Sequence, residues 1–595
     1  MDRRTHHPLK PERRASSWLG RERRQDPFYH GTADTLDHAL KATLAKLTLN
    51  VSPASLWMAW FDWVVHLQLS PSKQQQLLQE VGRKLLQWQF QQLHAAGLPD
   101  GEDEFVEPLP QDRRFADLAW EQWPFNVISQ GFLLSQQWWH RATTGVEGVS
   151  RHHEDVVTFM ARQLLDMMSP SNFLLTNPVA RRDTLRSGGM NLLQGLANQL
   201  NDAERYVTGR PARLQDAFQV GGNLAVTPGK VVFRNRLIEL IQYAPTTPDV
   251  RAVPVLFVPA WIMKYYILDL SPENSLVRYL VQQGYMVFMV SWLNPCAEDR
   301  DLSMEDYRRM GVMEAIDAVT RLTGAPQVNA VGYCLGGTLL SIAAAAMARD
   351  GDERLASITL FAAQVDFTEP GELSLFIDES QLSLLESIMW EQGYLDTKQM
   401  AGAFQLLRSN DLIWSRRLNQ YVLGHPEIQN DLAAWNADAT RMPFRMHSEY
   451  LRHLFLANDL AAGRYEVDGR PIAISDIRVP FFCVGTLTDH VAPWRSVFKI
   501  HLLADAEITF LLTSGGHNAG VISPPGHARR SFQLATREAG TPYVDPDQWE
   551  AGAPQYEGSW WPAWEAWLAE RSGPRVAPPA IKALCDAPGT YVMVP

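Results

Sequence analysis

Apolar residues recur at spacings of three and four through the first third of the chain. In SPSKQQQLLQEVGRKLLQWQF, Leu78, Val81 and Leu85 form a helical stripe that Leu77 and Leu86 widen. Ser70-Pro71 separates it from an earlier helical run, and Gly97 closes it. The stripe reads as a core or subunit-contact face, or as a surface that adsorbs to something apolar. Residues up to about 215 are expected to be mostly helical. Near Val220 the pattern changes. KVVFRN and LIELIQYAP are short β-rich runs after the turn residues Thr227-Pro228-Gly229. Strand-like and helix-like runs then alternate through VPVLFVP, YMVFMVSW, MEDYRRMGVMEAIDAVTRLTG, QVNAVGY and LASITLFAAQVD. Ser271-Pro272-Glu273 supplies an N-cap candidate and a proline for a helix that Gly284 stops. Residues of roughly 367–475 lose the alternation and look mainly helical, before RVPFFCVGT and EITFLLT restore it. Continuous apolar strands alternating with helices predict a mostly parallel sheet covered on both faces, with an inserted helical cap.

That pattern divides the chain into a basic tail over 1–50, a helical N-terminal domain over 51–215, and an α/β domain over 216–595 that holds the cap. The tail, MDRRTHHPLKPERRASSWLGRERRQ, lacks the apolar stretch of a secretory signal. It reads as a flexible end, or as a segment docking to an acidic or lipidic surface. Across 595 residues the chain is 46% apolar and 20% charged, enough for a large core, and its 20 tryptophans exceed what a core requires. A net charge of −12 argues against nucleic acid as the main partner. No window reaches the roughly 20 apolar residues of a membrane span; Lys264 ends the best candidate, AVPVLFVPAWIM. Cys296, Cys334, Cys483 and Cys585 are widely spaced, which fits a reducing cytoplasm and neither a disulfide framework nor a zinc site. GGNLAVTPGKV has the wrong spacing for a phosphate-binding loop.

The chemistry concentrates in VNAVGYCLGGTLLSIAAAAMA. A strand run enters Gly332-Tyr333-Cys334-Leu335-Gly336 and leaves as an alanine-rich helix, the layout of a nucleophile elbow with cysteine in the nucleophile's place. Gly332 and Gly336 are small because the chain folds back past them. The helix from Leu335 aims free N–H groups at the site, which favours thiolate and oxyanion alike. A buried structural cysteine is the alternative. The expected fold is α/β-hydrolase-like, whose chain order is nucleophile, acid, histidine. Asp489 follows the strand of RVPFFCVGTLTDHVAPW, with a solvated loop carboxylate as its alternative. His517 follows the last strand in EITFLLTSGGHNAG. His490 directly follows the acid, His501 falls in an apparent helix, and His527 lies beyond Pro524-Pro525-Gly526, so His517 is favoured by position. His517 is expected to act as general base, with Asp489 orienting it. The Leu335 N–H and one from the loop after VPVLFVP, expected at Ile262, are to form the oxyanion hole. A thiol exchanges one thioester for another at little cost and keeps the acyl group activated. Cysteine therefore suits acyl transfer from a CoA-like thioester better than ester hydrolysis.

At these residues the sequence resembles polyhydroxyalkanoate (PHA) synthases. The likeness runs from about Ser52 onward through TPGKVVFRNRLIELIQYAP, KYYILDLSPENSLVRYLVQQGY, SWLNP, GYCLGG, WNADATRMP, DHVAPW, GGHNAGV and GSWWPAW. GYCLGG and the long N-terminal region resemble class I enzymes. The resemblance implies polymerisation of (R)-3-hydroxyacyl-CoA, such as 3-hydroxybutyryl-CoA, with CoA release, and assigns Cys334, Asp489 and His517 to the catalytic positions. It also implies homodimers at the surface of cytoplasmic granules, contact with phasins, and no metal or organic cofactor. Two departures stand out: the family's PPWINKYYILDL is here PAWIMKYYILDL, with Ala260 and Met263 in the loop that should border the oxyanion hole. Trp435, Asn436 and Asp438 of WNADAT, and His490, are assigned either to packing or to the substrate route. Trp560, Trp561, Trp564 and Trp567 belong to a core-packed helix or to a polymer-contact surface. The rival readings are a Cys-triad thioesterase or lipase-like hydrolase, and a non-enzymatic granule scaffold.

Overall fold

Strands β1 (Gly229–Arg234), β2 (Ile238–Tyr243), β3 (Val255–Val258), β4 (Val287–Trp292), β5 (Val328–Tyr333), β6 (Leu355–Phe361), β7 (Phe481–Thr486), β8 (Ile508–Thr513), β9 (Ser531–Arg537), β10 (Gln555–Glu557) and β11 (Cys585–Asp586) build one 11-stranded sheet. Their order across it is β10-β9-β8-β7-β6-β5-β3-β4-β2-β1-β11. The run from β8 to β4 is parallel, and antiparallel pairs flank it on both sides. This computed structural model describes residues 35–48, 50–95, 106–109, 112–208, 217–397, 399, 409, 413–426 and 429–595.

Every residue of β4, β5, β7 and β8 is buried because both faces of the sheet are covered. Side chains alternate between two cores. Leu256 and Val258 of β3, Ala330 of β5 and Phe481 and Cys483 of β7 enter one. Val255 and Phe257, Val331 and Tyr333, and Phe482 and Val484 enter the other. Helix α9 (Glu314–Thr323) and helix α10 (Leu335–Asp350) cover the first face. The second holds α8 (Leu276–Gln282) and α14 (Trp561–Ala569). The four expected tryptophans sit in this second core. Trp560 and Trp561 donate their indole N–H groups to Gly520 O (2.9 Å) and Val521 O (3.0 Å), and Trp564 donates to Thr359 Oγ1 (3.1 Å).

The segment between β6 and β7 carries α11 (Glu379–Gln392), α12 (Asp431–Asn436) and α13 (Phe444–Tyr450), with one short strand pair among them and another after α13. The N-terminal region consists of α1 (Thr35–Leu47), α2 (Pro53–Gln68), α3 (Pro71–Ala95), α4 (Phe125–Thr143), α5 (Arg151–Met167), α6 (Pro178–Arg186) and α7 (Met190–Thr208). Among the described residues no helix is long and apolar enough to cross a membrane.

Three expectations need correction. Residues 1–34 of the basic tail lie outside the described residues, but Thr35–Leu47 is a helix rather than tail. Ala45 packs with Leu384 and Ile388 of α11, and His38 stacks on Trp390 with centroids 5.1 Å apart. The helix expected from Ser271 begins instead at Leu276. Ser275 caps it, accepting from Arg278 N at 2.9 Å while donating to the buried carboxylate of Asp269 at 2.7 Å. Ser271 turns to Asp431 of the cap. Finally, of the readings of the α3 stripe, a core face within one chain does not hold: Leu77 is buried, but Leu78, Leu85 and Leu86 are exposed, as on a subunit-contact or adsorbing face.

Trp564 has no exposed surface and meets Phe257 and Phe361 edge-on. Trp564→Ala is expected to destabilise the sheet domain by about 3–5 kcal/mol, read from its urea unfolding transition. Trp57→Ala, at a residue 66% exposed on α2, changes stability by less than about 0.5 kcal/mol.

Candidate active site

Strand β5 delivers Cys334 to the C-terminal edge of the sheet, and α10 starts at the next residue. The reversal forces Cys334 to φ 52°, ψ −126°, a conformation L-residues rarely hold. Its neighbours have no room for a side chain. A Cβ on Gly332 would lie 2.3 Å from Gly337 Cα, and one on Gly336 would lie 2.1 Å from Val258 O. Gly337 is equally constrained, since its Cβ would lie 2.4 Å from Ala363 Cβ. The thiol is partly buried and touches both cores.

Asp489 lies three residues beyond β7 with a fully buried side chain. Its Oδ1 accepts from Val491 N (2.8 Å) and Ala492 N (2.9 Å). Its Oδ2 accepts from Thr486 Oγ1 and from His517 Nδ1, both at 2.8 Å. Burial alone would raise its pKa, but the charge on His517 and these donors hold it below the ordinary carboxylate value.

His517 follows β8, and its side chain is 13% exposed. A carboxylate only accepts, so Nδ1 carries the proton and Nε2 is left for Cys334. Burial favours the neutral ring, yet the Asp489 charge, the Cys334 sulfur and hydrogen bonds to both raise its pKa well above the ordinary value. The Tyr333 ring lies 5.7 Å from the imidazole, and its hydroxyl donates to Asn518 Oδ1 at 2.6 Å. Asp489 and His517 are therefore joined, and the imidazole lies against Tyr333, the residue before Cys334.

The other candidates are placed as follows. Leu335 opens α10. Ile262 packs against the same core as Cys334, and among the described residues no backbone acceptor takes its N–H. Ala260 is buried, while Met263 forms an antiparallel bridge with Ala439. Trp435 is buried and donates to Lys264 O at 2.7 Å; Asp438 accepts from Tyr266 Oη at 2.8 Å; Asn436 accepts from Asn518 Nδ2 at 3.3 Å. His490 is exposed, and its carbonyl accepts from Glu372 N of the cap. His501 is buried against Phe498, and His527 is exposed. Thr486, Tyr333 and Asn518 were not among the expected site residues. Thr486 had a signal, a hydroxyl ending an apolar strand three residues before the acid. Asn518 had one too, in its place beside His517.

A cysteine elbow on a mostly parallel sheet, with acid and histidine in the loops after later strands and a cap between β6 and β7, defines an α/β-hydrolase-fold protein. Residues 253–521 match the family model described as alpha/beta hydrolase fold. Residues 111–280 match that of the poly-beta-hydroxybutyrate polymerase (PhaC) N-terminus, and residues 31–73 match poly-beta-hydroxybutyrate polymerase N terminal. The chain is 44% identical over 496 residues to a poly(3-hydroxyalkanoate) polymerase of Methylorubrum extorquens, covering 82% of this chain and 81% of the relative. It is 39% identical over 509 residues to the poly(3-hydroxyalkanoate) polymerase subunit PhaC of Cupriavidus necator, covering 83% and 85%. The chain belongs to the poly(3-hydroxyalkanoate) polymerase family. It is an acyltransferase of polyhydroxyalkanoate synthesis.

Asp489→Asn removes the charge that most favours the imidazolium. The His517 ring is then expected to titrate at lower pH than in the wild type, read by NMR of selectively labelled histidine; an unchanged midpoint contradicts the coupling. A raised histidine pKa stabilises the fold fully below the unfolded value of about 6.5 and less as pH climbs through the folded value. The histidine-dependent part of the stability gap between the two proteins therefore narrows as pH rises.

Proposed function

We propose that the chain polymerises short-chain (R)-3-hydroxyacyl-CoA, such as 3-hydroxybutyryl-CoA, through an acyl group carried on Cys334, releasing CoA. The observation that carries this reading is the Asp489–His517 hydrogen bond of 2.8 Å, set beside a cysteine held at a strained strand-to-helix elbow. The Cys334 thiolate, its proton on His517, attacks the thioester carbonyl. The oxyanion is taken up by the N–H groups of Leu335 and Ile262. The carbon–sulfur bond to CoA breaks, and the leaving thiolate recovers the proton from His517. In the second half, His517 removes the proton from the 3-hydroxyl of another acyl unit. That oxygen attacks the Cys334 thioester, forming the ester link and returning the sulfur.

The residues favour this over hydrolysis. Thioester exchange at sulfur costs little, and the drop to an oxygen ester then drives chain growth. A serine would lose that drop at the first step. A homodimer acting at the granule surface in the cytoplasm, with phasins as neighbours, belongs to the same reading. The exposed apolar residues Trp57, Phe61, Leu78 and Phe90 on α2 and α3 support a surface that meets apolar material. Trp435 and Asp438, held by buried or near-buried hydrogen bonds, are assigned to packing at the end of the cap rather than to the substrate route.

The test is purified protein given 3-hydroxyacyl-CoA of four, five or eight carbons. CoA release with polymer, fastest for the short chains, is expected. Cys334→Ala should lower the rate by at least about a thousandfold. Free 3-hydroxybutyrate equal to the CoA released would make the protein a thioesterase. Polymer accumulation unaffected by Cys334→Ala, in cells with no other synthase, would make it a scaffold.

A further inference from the structure

The peptide unit between Trp261 and Ile262 is held at its carbonyl end. Its carbonyl, Trp261 O, accepts from Thr440 Oγ1 at 2.5 Å, inside a contact where both residues are 2% exposed. The next carbonyl, Ile262 O, accepts from Thr440 N at 3.2 Å, and Met263 bridges Ala439. One residue of the cap's end therefore holds two successive carbonyls of the loop after β3. Thr440 is itself fixed on either side. Asp438 accepts from Tyr266 Oη, and Arg441 N donates to Asn294 Oδ1 at 2.8 Å.

A trans peptide is planar, with its C=O and N–H pointing in opposite directions. Drawing Trp261 O toward Thr440 therefore turns the Ile262 N–H to the other side of the loop, where no backbone acceptor takes it. We infer that Thr440 is a positioning residue for the reaction: its hydroxyl sets the peptide plane whose N–H stabilises the oxyanion formed at Cys334. This rests on the assignment of the Ile262 N–H under the proposed function. It also gives the end of the WNADAT stretch a part in rate. Without the hydroxyl, the plane can rotate or flip at little local cost, and the donor leaves its place. The ground state asks nothing of that donor, so substrate binding is spared while the transition state is not.

The test compares Thr440→Val, which keeps the shape and the N–H but removes the hydroxyl, with Thr440→Ser, which keeps it. Thr440→Val is expected to lower kcat for CoA release by about 10- to 100-fold with KM changed less than about threefold, the pattern of a lost oxyanion donor. Thr440→Ser should stay within about threefold of wild type. Alkylation of Cys334 by iodoacetamide forms no oxyanion, so its rate should stay within about twofold in both variants. A merely structural residue would lower both rates together. If Thr440→Val does not fold, Thr440→Ala removes the same hydroxyl and takes its place. A hydroxyl-less variant with kcat within twofold of wild type overturns the inference. So does a parallel fall in alkylation, or a serine variant no better than valine. Wild-type protein that releases no CoA sinks the polymerisation mechanism and this inference with it. Failure of the inference alone shows itself against an active wild type.

Discussion

The close approach of β3, β5 and α10 at the elbow is the constraint on which the rest depends. Gly336 sits against Val258 O and Pro259 O, so the end of β3 and the start of α10 are in contact. That contact brings the loop after β3 beside the first N–H groups of α10. Both proposed oxyanion donors, at Ile262 and Leu335, thus come from one backbone packing event rather than from two independently placed loops. Any side chain at 332, 336 or 337 would push the helix off the strand and separate them. The strained backbone of Cys334 is held only because these neighbours leave it no alternative.

The sheet supplies the other half of the site by adjacency. β7 and β8 are parallel neighbours paired in register through Thr486 and Thr513, so the loops leaving them emerge side by side at the edge where β5 ends. Asp489 and His517 lie three and four residues past those ends. The strand order therefore puts carboxylate beside imidazole, and the hydroxyl of Thr486 and two backbone N–H groups hold the carboxylate in place. A carboxylate with this many donors stays charged although buried, which is what an orienting partner for imidazole requires.

Much of this could be read from the sequence because it depends on short-range patterns. The glycines around Cys334, the apolar strand runs and the loops carrying Asp489 and His517 are local features with one structural solution. What escaped the sequence depends on distant contacts. Thr35–Leu47 carries leucines at 36, 40, 44 and 47, yet Leu40 and Leu44 are exposed, and the helix is placed against α11 by Ala45, His38 and Lys46, whose partners are over 300 residues away. The α3 stripe has the periodicity of a core helix, yet periodicity does not say whether a partner covers it, and Leu78, Leu85 and Leu86 are exposed. Ser271 and Ser275 are both sound N-cap residues. The choice between them was made by a buried carboxylate, Asp269, that local sequence does not reveal.

One tension in the site is resolved by the chemistry itself. For the proposed cycle, a histidine whose pKa is raised suits the holding of a proton from Cys334 and its return to the CoA sulfur, but it is a poor fit as a base. Part of the rise comes from the Cys334 sulfur, through its charge and its hydrogen bond. In the proposed cycle acylation makes that sulfur neutral and removes the hydrogen bond to its thiolate. The remaining support is Asp489 alone, while burial continues to favour the neutral ring. His517 is thus driven toward its neutral form at the moment a hydroxyl must be deprotonated, and back toward the imidazolium when the thiolate is restored. In that proposed cycle the same pair of contacts would serve both half-reactions, because a covalent intermediate on the sulfur would change the charge beside the imidazole.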